Sequence, residues 1–471
     1  MKEKLTFLTN KIIEVLINLI NKTLKIIKNN YVICIVLLIY IILHQLALST
    51  LGVDYSINSD DISYIISGKT FFETGIITMH GDISAQIMPG MTFFIAFLCL
   101  IFGTGSKLML ALKLSWIIFG FLTIIVVYKT IKIFTNQYIA AIPCFMFLTV
   151  DYVWMNNLIL TETPYILIFS LLVYHTIRLG QMQKTKDYIL IVIYYIIGVF
   201  IRPNIGIFPI FIFIYLILNK YDFKRIIKQG LIAGIILIAI LTPWAYRNYK
   251  LFDRFIPLTY GIGNPLLLGT YQGSGYPSDE ELDYKKHVDD KMSKEMKYYR
   301  ENPEVEKHLT RYYNLEYDGL KAKYRMKYWW EHDKISMLKS YLYDKPYGLM
   351  YNTFYWDILF GIERDSLMKI RKFEIILFII SSILILIKKK YIKEWITLVS
   401  LYMSQVMIYA YTYSFGRYAV SMYFIRYIII GLGLWVIYNC LKERVSKNES
   451  INDHSSIQRR KKHRKYSKKN N

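Results

Sequence analysis

The chain has 471 residues, of which 54% are hydrophobic, and a formal net charge of +23. Repeated apolar runs of about 20 residues match the hydrocarbon thickness of a bilayer, so the composition predicts a polytopic membrane protein. The excess positive charge lies in short segments between apolar runs and in the C-terminal tail. This is the positive-inside pattern of membrane proteins, and it does not indicate a nucleic-acid partner.

Five regions follow one another along the chain. Residues 1–30 are amphipathic and rich in lysine, which predicts a cytoplasmic segment on the membrane surface. An N-terminal transmembrane module, 31–246, contains the first outer loop, 52–107, and is followed by an extracytoplasmic loop domain, 247–370. The C-terminal transmembrane helices, 371–441, precede a basic cytoplasmic tail, 442–471.

The predicted fold is all-α, with about ten transmembrane helices, juxtamembrane helices in the first outer loop and one mostly helical outer-loop domain. The run 91–102 follows Pro89-Gly90 and is too short to cross a bilayer, which favours a re-entrant or interfacial helix. If it does not cross, the lysine clusters and both termini fall in the cytoplasm. The predicted spans are 31–51, 108–134, 137–153, 158–178, 187–201, 204–219, 228–246, 371–389, 391–413 and 419–441.

This topology brings charged and polar residues together on the outer surface. Charged side chains near the ends of membrane spans are energetically costly and are usually retained for a function. Their convergence on one surface therefore predicts a functional site there. The residues are Asp60, Asp61, Lys113, Asp151, Glu162, Arg202, Arg247, Asn264 and Arg417.

The stretch that begins at Asp60 reads as a helix with Asp60, Tyr64 and Ser67 on its more polar face. Two interpretations fit the adjacent acids Asp60 and Asp61. They can carry chemistry, or they can stabilise the N-terminus of the helix, where carboxylates complement the helix dipole. The spacing alone does not choose between them.

The segment Asp60-Asp61-Ile62-Ser63-Tyr64 resembles the first-loop motif of the GT-C glycosyltransferases of the PMT/ArnT-like (family 39-like) group. These are polytopic enzymes that use polyprenyl-phosphate sugars. Further segments resemble motifs of that group in the same order: Pro89-Gly90-Met91-Thr92-Phe93-Phe94, Phe102-Gly103, Thr161-Glu162, Arg202-Pro203, Pro243-Trp244 with Arg247-Asn248, and Gly416-Arg417-Tyr418.

The resemblance implies a transferase in which Asp60 and Asp61 are catalytic, Asp60 as the general base. It implies donor-phosphate binding by Arg417, Arg247, Arg202 and Lys113, and substrate binding by Tyr64, Glu162, Asn264 and Tyr418. The chemistry agrees, because a carboxylate can take the acceptor proton and guanidinium groups match a leaving phosphate. Two positions depart from the pattern: Lys113 stands where the group usually has Arg, and Gln86 stands near a second acidic position.

No cofactor is predicted, and no residue spacing supports a divalent metal. The implied partners are a polyprenyl-phosphate sugar, a glycan, lipid or protein acceptor, and membrane lipid. The expected location is the plasma membrane, with the active site on the extracytoplasmic face. The choice of sugar and acceptor stays open.

Two other functions fit a polytopic chain. A polymerase or ligase of lipid-linked glycans would use a lipid pyrophosphate and would tolerate Asp60→Asn. A lipid or solute transporter would show paired repeats and interrupted spans near the membrane midplane. The acidic first-loop motif and the one-sided distribution of polar residues favour the transferase.

Overall fold

A computed structural model describes residues 30–443, so the amphipathic N-terminal segment and nearly all of the basic tail lie outside the described residues. The described part is built almost entirely of helices, joined by short loops and 3₁₀ turns. The helices are α1 Tyr31–Leu51, α2 Asp60–Thr74, α3 Gly90–Phe102, α4 Ser106–Lys132, α5 Gln137–Ala141, α6 Val150–Met155, α7 Glu162–Met182, α8 Thr185–Ile201, α9 Phe208–Leu218, α10 Phe223–Phe252, α11 Gly263–Gly269, α12 Tyr284–His287, α13 Lys294–Glu301, α14 Lys307–His332, α15 Lys334–Lys339, α16 Lys345–Tyr351, α17 Arg364–Lys388, α18 Ile392–Tyr411, α19 Gly416–Val420 and α20 Tyr423–Glu443.

Five of these helices are long and apolar enough to cross a membrane: α1, α4, α7, α10 and α20. Each has at least 18 residues with a strongly hydrophobic stretch, which is the length that a bilayer requires. The predicted all-α membrane fold is confirmed, and the chain is an integral membrane protein. The number of ten spans stays a prediction.

The predicted span 137–153 is not a single helix. Over 137–153 the chain forms α5, then a 3₁₀ turn at Ile142–Leu148, and then α6. Pro143 lies at the start of the 3₁₀ turn and has no N–H to continue an α-helical hydrogen-bond ladder. Apolar composition therefore predicted the burial of this segment but not its geometry.

The spans differ greatly in how far the rest of the protein covers them. In α7, 67% of the apolar stretch is buried, whereas in α10 only 6% is. An apolar helix that is covered by protein on most sides forms the core of a bundle, and one that is mostly uncovered faces lipid. The bundle is therefore organised around α7, with α10 at its edge.

The first outer loop contains α2, α3 and a short antiparallel hairpin, β1 Thr78–Met79 with β2 Asp82–Ile83. The α2 and α3 backbones approach so closely at Gly68 that a Cβ atom there would lie 2.3 Å from the Ile95 side chain. Only glycine fits at this contact, which fixes the position of Asp60 at the N-terminus of α2 relative to the membrane helices.

A buried network of four charges joins α6, α17 and α20. Arg371 donates to Asp151 at 2.7 and 2.8 Å and also to Glu374, and Arg426 donates to Glu374 at 3.1 Å. All four side chains are essentially inaccessible, and their charges sum to zero. Because an unpaired buried charge is very costly, this pairing holds the three helices together. It places Asp151, one of the predicted outer-surface residues, in a structural cluster.

The outer-loop domain packs through α11 and α14. Gly263 of α11 sits against the backbone of Leu315 and Gly319, where a larger residue would collide. Arg325 of α14 is fully buried and donates to Thr270 at 2.7 Å and to the Pro277 carbonyl at 2.6 Å. These contacts hold α11, α14 and the segment between them together within the domain.

Candidate active site

Arg417 connects two carboxylates that come from distant parts of the sequence. Its Nη1 donates to Oδ2 of Asp60 at 2.6 Å, and its Nε donates to Oε1 of Glu162 at 2.6 Å. Although burial opposes its charge, the carboxylates of Glu162 and Asp60 raise the pKa of Arg417 well above its usual value. The helix starts of α2, α7 and α19 therefore meet at one charged centre.

Arg202, which follows α8, completes this centre. Its Nη2 donates to the same Oε1 atom of Glu162 at 2.7 Å, and its guanidinium lies 5.4 Å from the centre of the Tyr418 ring. Its Nη1 is buried and has no hydrogen-bond partner among residues 30–443. The protein therefore leaves one buried guanidinium donor of Arg202 unused.

Three of these groups, Asp60, Arg202 and Arg417, border a cleft of about 170 Å³. Asp60 is the carboxylate that reaches it with an accessible side chain, of which 30% is exposed, whereas Glu162 is fully buried. The two carboxylates and two guanidinium groups balance in charge, so the cleft combines an accessible base with fixed cations. The polar lining consists of Asp60, Tyr64, Gln86, Thr161, Arg202, Thr259, Arg417 and Tyr418.

Asp61 has a different environment from its neighbour. Its carboxylate accepts hydrogen bonds from the Ser56 hydroxyl at 2.7 Å, the Ile57 amide at 2.9 Å and the Ser59 amide at 3.0 Å. The side chain is buried and does not border the cleft. Asp61 thus stabilises the loop at the start of α2, which fits the interpretation of a structural role at the helix N-terminus. Asp60 stays the candidate for a role in chemistry, because its side chain borders the cleft.

His80 stands beside Asp60, and the sequence analysis did not include it among the site residues. Its Nε2 lies 3.6 Å from Oδ1 of Asp60, and its Nδ1 lies 3.0 Å from the Ser63 hydroxyl. The residue occupies the tip of the hairpin with a φ of 54°, and Gly81 follows with a φ of 89°. This two-residue turn directs His80 at Asp60. No local pattern indicated it, because the hairpin strands have only two residues each.

Arg311 of α14 is a second residue that the sequence did not indicate. It donates through Nε and Nη2 to Oε1 of Gln86, at 2.9 and 2.7 Å. Gln86 borders the cleft, so this contact connects the outer-loop domain to the rim of the cleft. Because its partner is a neutral amide, and no carboxylate within residues 30–443 forms an ion pair with it, Arg311 adds a positive charge at this rim.

Besides Asp61 and Glu162, three predicted site residues do not line the cleft. Arg247 donates to the carbonyls of Ser84 at 2.8 Å and Ile77 at 3.3 Å, and so holds the hairpin. Lys113 donates to the Tyr55 carbonyl at 2.6 Å and to the Asn157 carbonyl. Asn264 donates to Asp318 at 3.0 Å in the outer-loop domain. Their polar groups are directed at the protein.

Tyr64 and Tyr418 are aromatic walls of the cleft. Tyr64 is buried one turn after Asp60, and burial together with the Asp60 charge raises the pKa of its hydroxyl. Tyr418 stacks on Tyr409 with ring centres 4.8 Å apart. Both rings present faces on which a sugar can pack.

An apolar cavity of about 460 Å³ adjoins the polar cleft. It lies among α3, α4, α7 and α8, and its walls include Phe94, Trp116, Leu167 and Phe200. Ile201 borders both spaces, so the polar cleft and the apolar cavity are neighbours.

Across residues 30–443, no group of three or more His, Cys, Asp or Glu side chains is placed to hold a metal ion. Asp60 and Glu162 are both bound to Arg417. The donors that surround the cleft suit an anion better than a cation.

Residues 87–246, about a third of the chain, match the family model described as dolichyl-phosphate-mannose-protein mannosyltransferase. No curated protein sequence matches the chain. The family match and the fold confirm the resemblance to GT-C glycosyltransferases of the PMT/ArnT-like group.

Among solved structures, the oligosaccharyltransferase of Archaeoglobus fulgidus in its apo form is similar with a TM-score of 0.52 at 14% identity, over 89% of this chain and 52% of that one. The chain thus spans about half the length of that enzyme. ArnT of Cupriavidus metallidurans bound to undecaprenyl phosphate matches with a TM-score of 0.39 at 12% identity, over 86% of this chain and 77% of that one. At these identities, the likeness to the oligosaccharyltransferase concerns the fold alone.

Proposed function

We propose that this protein is a membrane glycosyltransferase that moves a sugar from a polyprenyl-phosphate donor to a hydroxyl or amine of an acceptor. The observation that carries the proposal is the contact between two cavities, the polar cleft at Asp60 and the apolar cavity behind Ile201. A polyprenyl-phosphate sugar has the same two parts, a polar head with an anionic phosphate and a long apolar chain. The two neighbouring cavities match these two parts in polarity.

Asp60 is proposed as the general base. As the acceptor oxygen forms its bond to the anomeric carbon, the bond from that carbon to the phosphate oxygen breaks, and the acceptor proton passes to the carboxylate. Arg417 occupies Oδ2 of Asp60 with a hydrogen bond of 2.6 Å, so Oδ1 is the atom that receives the proton. A single displacement of this kind inverts the anomeric configuration. Asp61, whose oxygens bond the loop, is proposed to position Asp60.

The departing polyprenyl phosphate gains negative charge, which cations in a water-poor cleft stabilise. Arg202 is the best-placed donor because its Nη1 has no partner among the described residues and its guanidinium borders the cleft. Arg417 adds its charge from the same wall. Arg247 and Lys113 donate to backbone carbonyls, which supports a role in holding the loops around the substrate.

Tyr64 and Tyr418 are proposed to contact the sugar, and Glu162 to hold the two arginines in place. We propose that the reaction takes place at the outer face of the plasma membrane with both termini in the cytoplasm. The positive-inside distribution of lysines supports this orientation. Asn264 belongs to the outer-loop domain, the side from which an acceptor would approach.

The test is turnover of polyprenyl-phosphate hexoses and pentoses by the purified full chain, measured as released polyprenyl phosphate. Wild type is expected to release it from at least one donor, with slow transfer to water when no acceptor is present. Asp60→Asn is expected to lower turnover by about 100-fold or more. Failure to release polyprenyl phosphate from any donor would overturn the proposal. Turnover of lipid pyrophosphates that survives Asp60→Asn would support a glycan ligase instead.

A further inference from the structure

A second apolar groove lies at the opposite end of the helix bundle from the cleft. It has a volume of about 470 Å³ and lies between α8, α9 and α10, with Leu179 of α7 at its edge. α7 begins at Glu162 in the charged centre and has 21 residues, so its far end is about 30 Å away. The groove is therefore near the other surface of the membrane from Asp60.

The floor of the groove is formed by Gly230 and Gly234 of α10. A Cβ atom added at either glycine would meet nothing within 4 Å. Gln229 also borders the groove; its backbone carbonyl accepts from the Tyr188 hydroxyl at 2.9 Å, and its Oε1 accepts from the Tyr221 hydroxyl at 3.2 Å. Most of the residues that line the groove are apolar.

Basic side chains surround the membrane-surface end of the groove. Five exposed lysines there have no hydrogen-bond or ion-pair partner within residues 30–443: Lys184, Lys186, Lys220, Lys224 and Lys228. The acids nearby are occupied, because Asp187 pairs with Arg178 at 2.9 Å and Asp222 caps α10 through the Arg225 amide at 2.7 Å. This end therefore carries a positive charge that the protein does not neutralise.

We propose that this groove binds an anionic phospholipid, with one acyl chain along α10 over Gly230 and Gly234 and the phosphate among the lysines. An apolar groove that ends in basic residues at a membrane surface complements such a lipid. A second copy of the chain is disfavoured as the occupant, because its own lysines would be brought against these five. The proposal is independent of the glycosyltransferase activity, since the groove and the cleft lie at opposite ends of α7.

Native mass spectrometry of the purified full chain tests this. Equal amounts of phosphatidylglycerol, phosphatidylcholine with the same acyl chains, and undecaprenyl phosphate are added separately. Phosphatidylglycerol is expected to remain bound at collision energies that remove phosphatidylcholine. The triple variant K184Q/K220Q/K224Q is expected to bind it about tenfold more weakly or worse. The matched control is K388Q/K389Q/K390Q, which removes the same charge from a different turn and should leave binding unchanged.

The groove itself is tested by G230L/G234L, which fills its floor without removing a charge. Both positions have free space and leucine favours a helix, so the variant should fold. Loss of phosphatidylglycerol is expected here but not in A239L, which adds the same side chain at an exposed position of α10 outside the groove. Equal binding by G230L/G234L and A239L would overturn the proposal. So would equal retention of phosphatidylcholine, loss of bound undecaprenyl phosphate in G230L/G234L but not in A239L, or a dimer that only G230L/G234L abolishes.

Discussion

Arg417 donates a hydrogen bond of 2.6 Å to Asp60, although the two residues are 357 positions apart in the sequence. The same guanidinium donates to the buried Glu162 at 2.6 Å. Arg417 is therefore anchored by Glu162 on one side and holds the accessible carboxylate of Asp60 on the other. This arrangement keeps Asp60 oriented towards the cleft. It also means that Arg417 cannot move to a phosphate without releasing a carboxylate, which gives Arg202 the more direct role in binding an anion.

The adjacent acids Asp60 and Asp61 should respond differently to the same change. Asp61→Asn replaces an acceptor of three hydrogen bonds in a buried site and is expected to lower the free energy of unfolding by about 1–3 kcal/mol. Asp60→Asn should abolish turnover while leaving the melting temperature of the purified protein within a few degrees of wild type. Thermal unfolding and turnover of both variants provide the measurement. A larger loss of stability in Asp60→Asn than in Asp61→Asn would contradict the assignment.

Glu162 is expected to be the most sensitive position of the site. Glu162→Gln would leave Arg202 and Arg417 buried with one carboxylate fewer, and loss of one partner from a buried ion pair costs about 3–5 kcal/mol. Thermal unfolding of this variant and of Glu304→Gln, which removes an exposed surface pair with Lys307, provides the comparison. The surface change should alter stability by less than about 1 kcal/mol. Equal losses of stability in Glu162→Gln and Glu304→Gln would contradict the assignment of Glu162 to a buried ion-pair cluster.

The sequence predicted much of the fold because local hydrophobicity determines membrane helices. α1 begins and ends at the predicted residues 31 and 51, and α8 ends at the predicted residue 201. The broken segment around Pro143 was missed because it is as apolar as a continuous helix. Burial follows from composition, whereas the path of the backbone through a buried segment depends on its neighbours.

The site was only partly accessible to sequence reasoning. Asp60, Arg202 and Arg417 were selected from motifs, and the structure brings their side chains together in one charged centre. His80 and Arg311 were missed, because the first reaches Asp60 through a six-residue hairpin and the second through docking of α14. Neither contact can be recognised from a pattern in the amino-acid sequence.

The pH dependence of turnover should reveal the contact between His80 and Asp60. Burial and then the charge of Arg311 lower the pKa of His80 below its ordinary value of 6.5, against the opposing charges of Asp60 and Asp82. The folded protein therefore keeps this imidazole neutral at pH 7. The stability that it contributes is present above pH 6.5 and is lost as the pH falls from there towards the folded pKa. Protonation then places a cation beside Asp60, and turnover should fall.

Turnover measured from pH 5 to pH 8 tests this expectation. Arg311→Gln removes the cation that disfavours imidazolium, so the acid loss of turnover should move to higher pH. His80→Gln should flatten that loss, while His332→Gln, at an exposed position of the outer-loop domain, should leave the profile unchanged. An acid limb that neither Arg311→Gln nor His80→Gln alters would exclude His80 as its source.

Lys345 in α16 offers a test of stability that is separate from the site. Its Nζ is buried without a hydrogen-bond partner in the described residues and lies 3.5 Å from the centre of the Tyr341 ring. Burial lowers its pKa from 10.5 to about 7. Because the unfolded chain binds this proton up to about pH 10.5 and the folded protein releases it near pH 7, stability should rise between these values, by up to about 1.4 kcal/mol per pH unit.

Lys345→Met keeps the side-chain length without the charge. It should melt at a higher temperature than wild type at pH 7, with a difference that shrinks by pH 9. Lys285→Met, at an exposed lysine of the same domain, should show no such trend. A constant difference between Lys345→Met and wild type from pH 7 to pH 9 would mean that Lys345 does not carry an unpaired buried charge.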